Sequence, residues 1–166
     1  MENAYYHLRP LNSADAQRMT EMMHDGQTVR YLQIGGPGYT LDTALRFIAG
    51  AGDESVHLHR AVVDDRDVYY GSISLKNIDT ARKEAEYAIT MHPQAQGKGI
   101  AAVATREILR IAFEDLKLRR VYLNVLDENA RANKFYQKFG FRYTHSTKML
   151  FHGEEKLLHW YEATRQ

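Results

Sequence analysis

The order of hydrophobic periods along this chain predicts an α+β fold. Stretches with strand-like alternation gather toward both ends, helical periods lie between them, and no regular strand–helix–strand alternation runs throughout. Residues 1–166 read as one domain, long enough to bury a self-sufficient core and undivided by any linker, repeat or low-complexity tract.

Tyr5 to Leu11 reads as a first strand, ending at Pro10. Asn12 or Ser13 can cap a helix whose apolar face is Met19, Met22 and Met23 and which Gly26 should end. Methionines at this spacing are expected in a core rather than on an adaptable binding surface. Val29 to Leu32 suggests a short helix before the loop Gly35-Gly36-Pro37-Gly38. Thr40 then opens a helix with Leu41, Ala44, Leu45 and Ile48 on one face, stopped near Gly50. Val56–Val63 and Val68–Leu75 are predicted strands joined by Asp64-Asp65-Arg66-Asp67, and Ile78 to Arg82 should turn. Ala85, Tyr87, Ile89 and Met91 alternate with Glu84, Glu86, Ala88 and Thr90, the period-2 pattern of a strand. Ile100, Val103, Ala104, Ile108, Ile111 and Ala112 recur at helical spacing as far as Leu116. Val121–Leu126 is the next strand and Asn129–Phe139 the next helix, closed by Gly140. Phe141–Phe151 and Lys156–Tyr161 form a final hairpin around His152-Gly153-Glu154.

Composition removes several function classes. Twenty-two basic residues against 21 acidic ones predict no nucleic-acid stripe and no affinity for an anionic membrane. No apolar run approaches the roughly 18 residues of a membrane span, and Met1-Glu2-Asn3-Ala4 lacks a signal-peptide pattern, so a cytoplasmic protein is expected. Without cysteine there is no disulfide, thiolate metal site or cysteinyl acyl-enzyme, and no Gly-x-Ser-x-Gly elbow offers a serine instead. Of the eight histidines only His57 and His59 form a close pair, which reads as a cross-strand surface pair; no metal site is expected.

Between the Glu84 strand and the Ile100 helix lies Gln96-Gly97-Lys98-Gly99-Ile100-Ala101. Glycines at such a junction let the backbone approach a ligand, and the first N–H groups of the helix favour an anion, most simply a phosphate. A Walker loop fails here, because glycine follows Lys98 and His92 stands where the earlier glycine should be. Gly97-x-Gly99-x-x-Ala102 matches the dinucleotide fingerprint, yet His92 to Gln96 separates it from its strand and Asp127 lies too far on for the ribose acid. Farther along, Asn129 and Tyr136 stand seven positions apart and share a helix face with Ala132 and Asn133, beside a Phe135 and Phe139 stripe expected in the core. A carboxamide and a phenol there suit a ligand, and they equally suit a helix cap and a rim hydroxyl.

Gln96-x-x-Gly99-x-Ala101, followed by Glu128-Asn129-x-x-Ala132-x-x-x-Tyr136-x-x-x-Gly140-Phe141, resembles the two cofactor motifs of the GNAT superfamily of N-acetyltransferases. The match runs from about Glu84 to Phe141. The Ala85-Glu86-Tyr87 strand and Leu8-Arg9-Pro10-Leu11 are similar to the branch holding ribosomal-protein N-terminal and spermidine acetyltransferases. The resemblance implies a mixed, mostly antiparallel sheet flanked by helices and splayed at the acetyl-CoA site. It implies that the backbone of Ile89, Thr90 and Met91 pairs with pantetheine, and that Gln96, Gly97, Lys98, Gly99, Ile100, Ala101 and Ala102 wrap the pyrophosphate. Asn129 would contact the cofactor arm and Tyr136 would face the thioester sulfur. A homodimer is compatible with it.

The implied reaction is direct attack by a primary amine on acetyl-CoA in a ternary complex. An amine with a pKa near about 10.4 must lose a proton first, and Glu86 or Glu84, on one strand face, could take it; the alternative, a strand carboxylate paired with a neighbouring base, weighs more on Glu84 than on Glu86. A backbone N–H near Ile89 to Met91 would stabilise the carbonyl oxygen, and Tyr136 would protonate the departing thiolate. The segment from Thr28 to Gly52 and the last hairpin should shape the acceptor pocket. Asp42, Asp53 and Glu54 are too few to require a polyamine, so protein N-terminus, amino sugar, amino acid and polyamine stay open as small-molecule or peptide acceptors. The competing readings are a catalytically idle acyl-CoA-binding regulatory domain, which would need neither Tyr136 nor Glu86, and a dinucleotide-dependent oxidoreductase.

Overall fold

The computed structural model describes residues 5–165. Its strands are β1 (His7–Arg9), β2 (Leu58–Val63), β3 (Tyr69–Asp79), β4 (Glu84–Met91), β5 (Arg120–Leu126), β6 (Arg142–Phe151) and β7 (Glu154–Thr164). Its helices are α1 (Ala16–His24), α2 (Gly26–Val29), α3 (Leu41–Gly50), α4 (Ile100–Arg110) and α5 (Ala130–Phe139). The strands make one sheet in the order β1-β2-β3-β4-β5-β7-β6. Every pairing is antiparallel except β4 with β5, whose connection runs through α4, as a parallel pair requires.

Alternation along the strands sorts the two faces. Val62, Ile73, Leu75, Ala85, Tyr87, Val121 and Leu123 pack with Ile100, Ala104 and Ile108 of α4, and Tyr136 of α5 joins the same cluster. Ala61, Val63 and Tyr69 pack instead with Met19, Met22 and Met23 of α1 and Ala44 of α3. The methionine stripe is core, as its spacing predicted.

Several boundaries differ from the expectation for local reasons. The first strand is only His7–Arg9. Asn12 does cap: its Oδ1 accepts from Ala14 N–H while Asp15 Oδ2 accepts from Asn12 N–H, and Asp15 also pairs with Arg9 at 2.7 Å. Gly26 opens a helical turn rather than ending one, because Asp25 Oδ2 accepts the Thr28 N–H at 2.9 Å; the short helix expected at Val29–Leu32 thus lies about one turn earlier. β3 runs past Leu75 to Asp79 because β4 pairs with it through Lys76↔Glu86 and Asp79↔Glu84. The helix expected to reach Leu116 is α-helical to Arg110 and continues as a π turn over Ile111–Asp115, with Leu116 N–H bonded to the Ile111 carbonyl at 2.9 Å. β7 starts and ends beyond Lys156–Tyr161 because it lies between β5 and β6 and pairs with both. The hairpin turn places His152 and Gly153 at φ 50° and 80°, the left-handed pair that a two-residue hairpin loop demands.

The parallel pair decides where a ligand can enter. β4 and β5 match only over Glu84–Glu86 and Arg120–Tyr122, after which their backbones separate. The implied splay is therefore present, and it leaves the second half of β4 with one unpaired edge. His92 N–H bonds to the Tyr70 carbonyl on β3 at 2.7 Å. Counting back by twos, the backbone groups of Thr90 and Ala88 also face β3, so those of Met91 and Ile89 face the gap.

Candidate active site

The gap widens into two adjoining cavities. One, about 650 Å³, is lined by Gln96, Gly97, Gly99, Ile100, Ala101 and Ala102 on one side and by the first turns of α5 on the other. The second, about 420 Å³, runs between β4 and β5 past Glu86, Ala88, Thr90 and Asn124 toward Met149, Phe151 and Leu158 of the last hairpin. Ile89, Asn129, Ala132 and Tyr136 line both, as do Thr28 and Tyr31. Met91 lines the larger cavity alone. The Thr28–Gly52 segment thus contributes only its start to the smaller cavity.

The glycine loop has a geometry that could hold an anion. Gly97 and Gly99 take φ of 74° and 70°, a left-handed conformation that costs other residues about 1–2 kcal/mol. A Cβ at either position would meet no protein atom within 4 Å, so no neighbour within the fold excludes a side chain there. Gly99 is the N-cap of α4 and offers no side-chain cap, and the first bond of this helix runs from Val103 N–H to the Gly99 carbonyl at 3.3 Å. The amides of Ile100, Ala101 and Ala102 precede that bond and open on the cavity, with the positive end of the helix dipole behind them. Lys98 turns away: its Nζ lies 5.4 Å from the centroid of the Tyr70 ring, and the residue is not part of the cavity wall.

Helix α5 is pinned so that Tyr136 faces the gap. Asn133 Nδ2 donates to the Leu126 carbonyl at 3.0 Å and its Oδ1 accepts from the Tyr161 hydroxyl at 2.8 Å, tying the helix to β5 and β7. Asn129 caps the helix, its Oδ1 accepting from Ala132 N–H at 3.2 Å, so the simple capping role is real even though the residue also lines both cavities. The Tyr136 ring packs edge-on against Tyr87 and Phe141 with centroids 5.7 and 5.6 Å apart. Tyr87 in turn reaches Thr105 on α4 at 2.8 Å, which holds strand, loop and both helices in one unit.

Burial pushes the Tyr136 phenol up to about 12, partly offset by the neighbouring Tyr87 hydroxyl. Tyr87 and Tyr69 are also raised by burial. Phenols in the unfolded chain ionise near about 10, so the stability these groups contribute is complete below that pH and is lost as pH rises through their folded-state values. The urea midpoint should therefore stay level from neutral pH to about 9 and fall steeply above about 10. A midpoint that is level at pH 11 would contradict three protonated buried phenols.

The two strand carboxylates separate clearly. Glu84 belongs to a network in which Arg120 reaches it at 3.0 Å and Glu162 at 2.6 Å, the paired state expected of a structural carboxylate. Glu86 has one cross-strand partner, Lys76 Nζ at 3.5 Å, and both line the smaller cavity. His59 bonds through Nδ1 to Ser74 Oγ at 2.6 Å, and among the described residues no cluster of His, Asp or Glu could hold a metal ion.

The model of the GNAT acetyltransferase domain matches residues 6–142. The chain belongs to the GNAT family of acetyltransferases. Among curated relatives, spermidine N(1)-acetyltransferase of Escherichia coli K12 is 28% identical over 139 residues, covering 81% of this chain and 71% of its own. Acetyltransferase PseH of Campylobacter jejuni is 30% identical over 108 residues, 65% of this chain and 66% of its own. A crystal structure of spermidine N-acetyltransferase from Vibrio cholerae, in complex with CoA and spermine, superposes with a TM-score of 0.85 at 22% identity, over 96% of this chain and 95% of that one. The glycine loop, the splayed strands and α5 all fall inside the matched GNAT domain. Lys76 and Asn124 line the smaller cavity with no motif in the sequence to mark them, and Thr28 and Tyr31 are marked there only as part of the Thr28–Gly52 segment.

Among the described residues no helix is long and apolar enough to cross a membrane.

Proposed function

We propose that this GNAT enzyme transfers the acetyl group of acetyl-CoA to a primary amine by direct attack in a ternary complex, in the cytoplasm. The supporting observation is that an anion cradle and a carboxylate-bearing cavity meet at Tyr136. In this reading the amides of Ile100 to Ala102 and the backbone of Gln96, Gly97 and Gly99 hold the pyrophosphate, and the gap-facing groups of Ile89 and Met91 hold the pantetheine arm and polarise the acyl oxygen. Lys98 would add charge at the rim rather than contact. Acetyl-CoA supplies the activated acyl group.

Glu86 takes the proton that the ammonium must lose, directly or through one water, with Lys76 Nζ beside it at 3.5 Å. The amine nitrogen forms the new bond to the acyl carbon while the carbon–sulfur bond breaks with its electron pair going to sulfur, and the second proton that the nitrogen sheds passes to the thiolate or to water. Tyr136, with its raised pKa, stays protonated at neutral pH and so always presents a hydrogen-bond donor to that sulfur. A phenol near 12 is a weak acid beside a thiol near about 8.5, so stabilising the thiolate by a hydrogen bond is its main contribution in this state.

Thiol release from acetyl-CoA should appear on adding a primary amine and not on adding its tertiary analogue. Glu86→Gln should lower kcat/KM by about 10²-fold near neutral pH and recover partly by pH 10, where more of the amine is already neutral. A uniform loss at every pH with a lower melting temperature would make Glu86 a structural ion-pair partner. Acetyl-CoA binding with no thiol release for any amine would point to the idle binding domain.

A further inference from the structure

Resting on the acetyl-transfer reading, we infer that the acceptor is a monoamine with an apolar body and that polyamines are poor substrates, although the relatives named above include spermidine acetyltransferases. The charges lining the smaller cavity are one acid, Glu86, and one base, Lys76, 3.5 Å apart. One ammonium can be read by that carboxylate. A second would meet Lys76 Nζ, the apolar end or uncharged amide and hydroxyl groups, with no countercharge.

Acids near the rim are already engaged. Glu84 is held by Arg120 at 3.0 Å and Glu128 by Lys156 at 3.1 Å, while Asp127 is bonded to His159 at 2.6 Å and lines neither cavity. Asp42 pairs with Arg46, Glu54 pairs with Arg60, and Asp53 accepts from Ser55; none of the three lines either cavity. Toward the last hairpin the wall turns apolar, while Thr28, Gln33, Asn124 and Asn129 line the rest with uncharged polar groups. Leu126, Phe151 and Leu158 form one buried cluster, with Tyr31 and Met149 packed against it, and all five line the cavity. A hydrocarbon group gains by burial there, whereas an ammonium loses its hydration without a partner.

Hexylamine and cadaverine test this directly, since they match in length and differ by a terminal methyl against a second ammonium. With acetyl-CoA and thiol release as the readout, kcat/KM should favour hexylamine by at least about tenfold. Lys76→Glu should close that gap by about tenfold by raising cadaverine relative to hexylamine, and Lys76→Gln should move it the same way by less. Cadaverine equal to or ahead of hexylamine in the parent protein overturns this inference and leaves acetyl transfer standing. Turnover of glucosamine with neither aliphatic amine accepted does the same. No release with any amine overturns the acetyl-transfer reading, and this inference with it.

Discussion

Tyr136→Phe should slow acetyl transfer by about 10²-fold or more while the melting temperature stays within a few degrees of the parent. The substitution keeps the ring, and therefore the edge contacts to Tyr87 and Phe141 that hold α5 against β4. It deletes a hydroxyl on the wall that the two cavities share. Acetyl-CoA affinity should change little, because the proposed phosphate contacts lie on the glycine loop. The measurement pairs turnover of a working amine with thermal melting of the same preparation. A structural tyrosine would give near-parental turnover and a small stability change from a lost rim hydrogen bond. That outcome would remove Tyr136 from the chemistry and leave water as the partner of the departing thiolate. Single-turnover rates belong in the comparison, since slow product release would hide a slower chemical step.

Gly99→Val should weaken acetyl-CoA binding by about a hundredfold or more, read by calorimetry. A φ of 70° is strained for any residue with a Cβ and worst for a β-branched one. No protein atom lies within 4 Å of that Cβ, so the fold itself should survive with a modestly lower melting temperature. The added methyl groups instead stand where a phosphate would approach the amides of Ile100 and Ala101. Gly99→Ala separates the two effects: it carries a similar backbone strain with less bulk, and should fall between parent and valine in affinity. If the valine protein bound acetyl-CoA as tightly as the parent, the phosphate would have to lie elsewhere.

Local physics made much of this protein readable as a string. Alternation at Ala85, Tyr87, Ile89 and Met91 marked β4, and the helical period from Ile100 marked α4, because side-chain direction follows directly from backbone period. Gly97 and Gly99 at a strand-to-helix junction pointed to a ligand-facing backbone, and both adopt the left-handed conformation that only glycine takes without strain. Asn12, Thr40 and Asn129 signalled helix starts through short-range hydrogen bonds that need no tertiary partner. Errors fell where local signals competed. Gly26 looks like a terminator, but the carboxylate of the preceding Asp25 captures the next turn.

Tertiary structure decided the rest, since it depends on pairings between distant segments. Nothing near β7 announces that it enters the sheet between β5 and β6. Its Leu158 and Tyr161 are buried there, while β6, with Arg142 and Lys148 exposed, is left at the edge. The separation of β4 from β5 after three matched residues likewise has no counterpart in either strand's own pattern. That separation creates the site, because it bares the backbone groups of Ile89 and Met91 and admits Tyr136 from α5 and Tyr31 from beyond α2 to the same gap. Which carboxylate stands available was also settled across strands: Arg120 on β5 engages Glu84, and Lys76 on β3 sets Glu86 at the cavity wall. Residue types and their periods are properties of neighbours in the chain, whereas charge partners and cavities belong to neighbours in space.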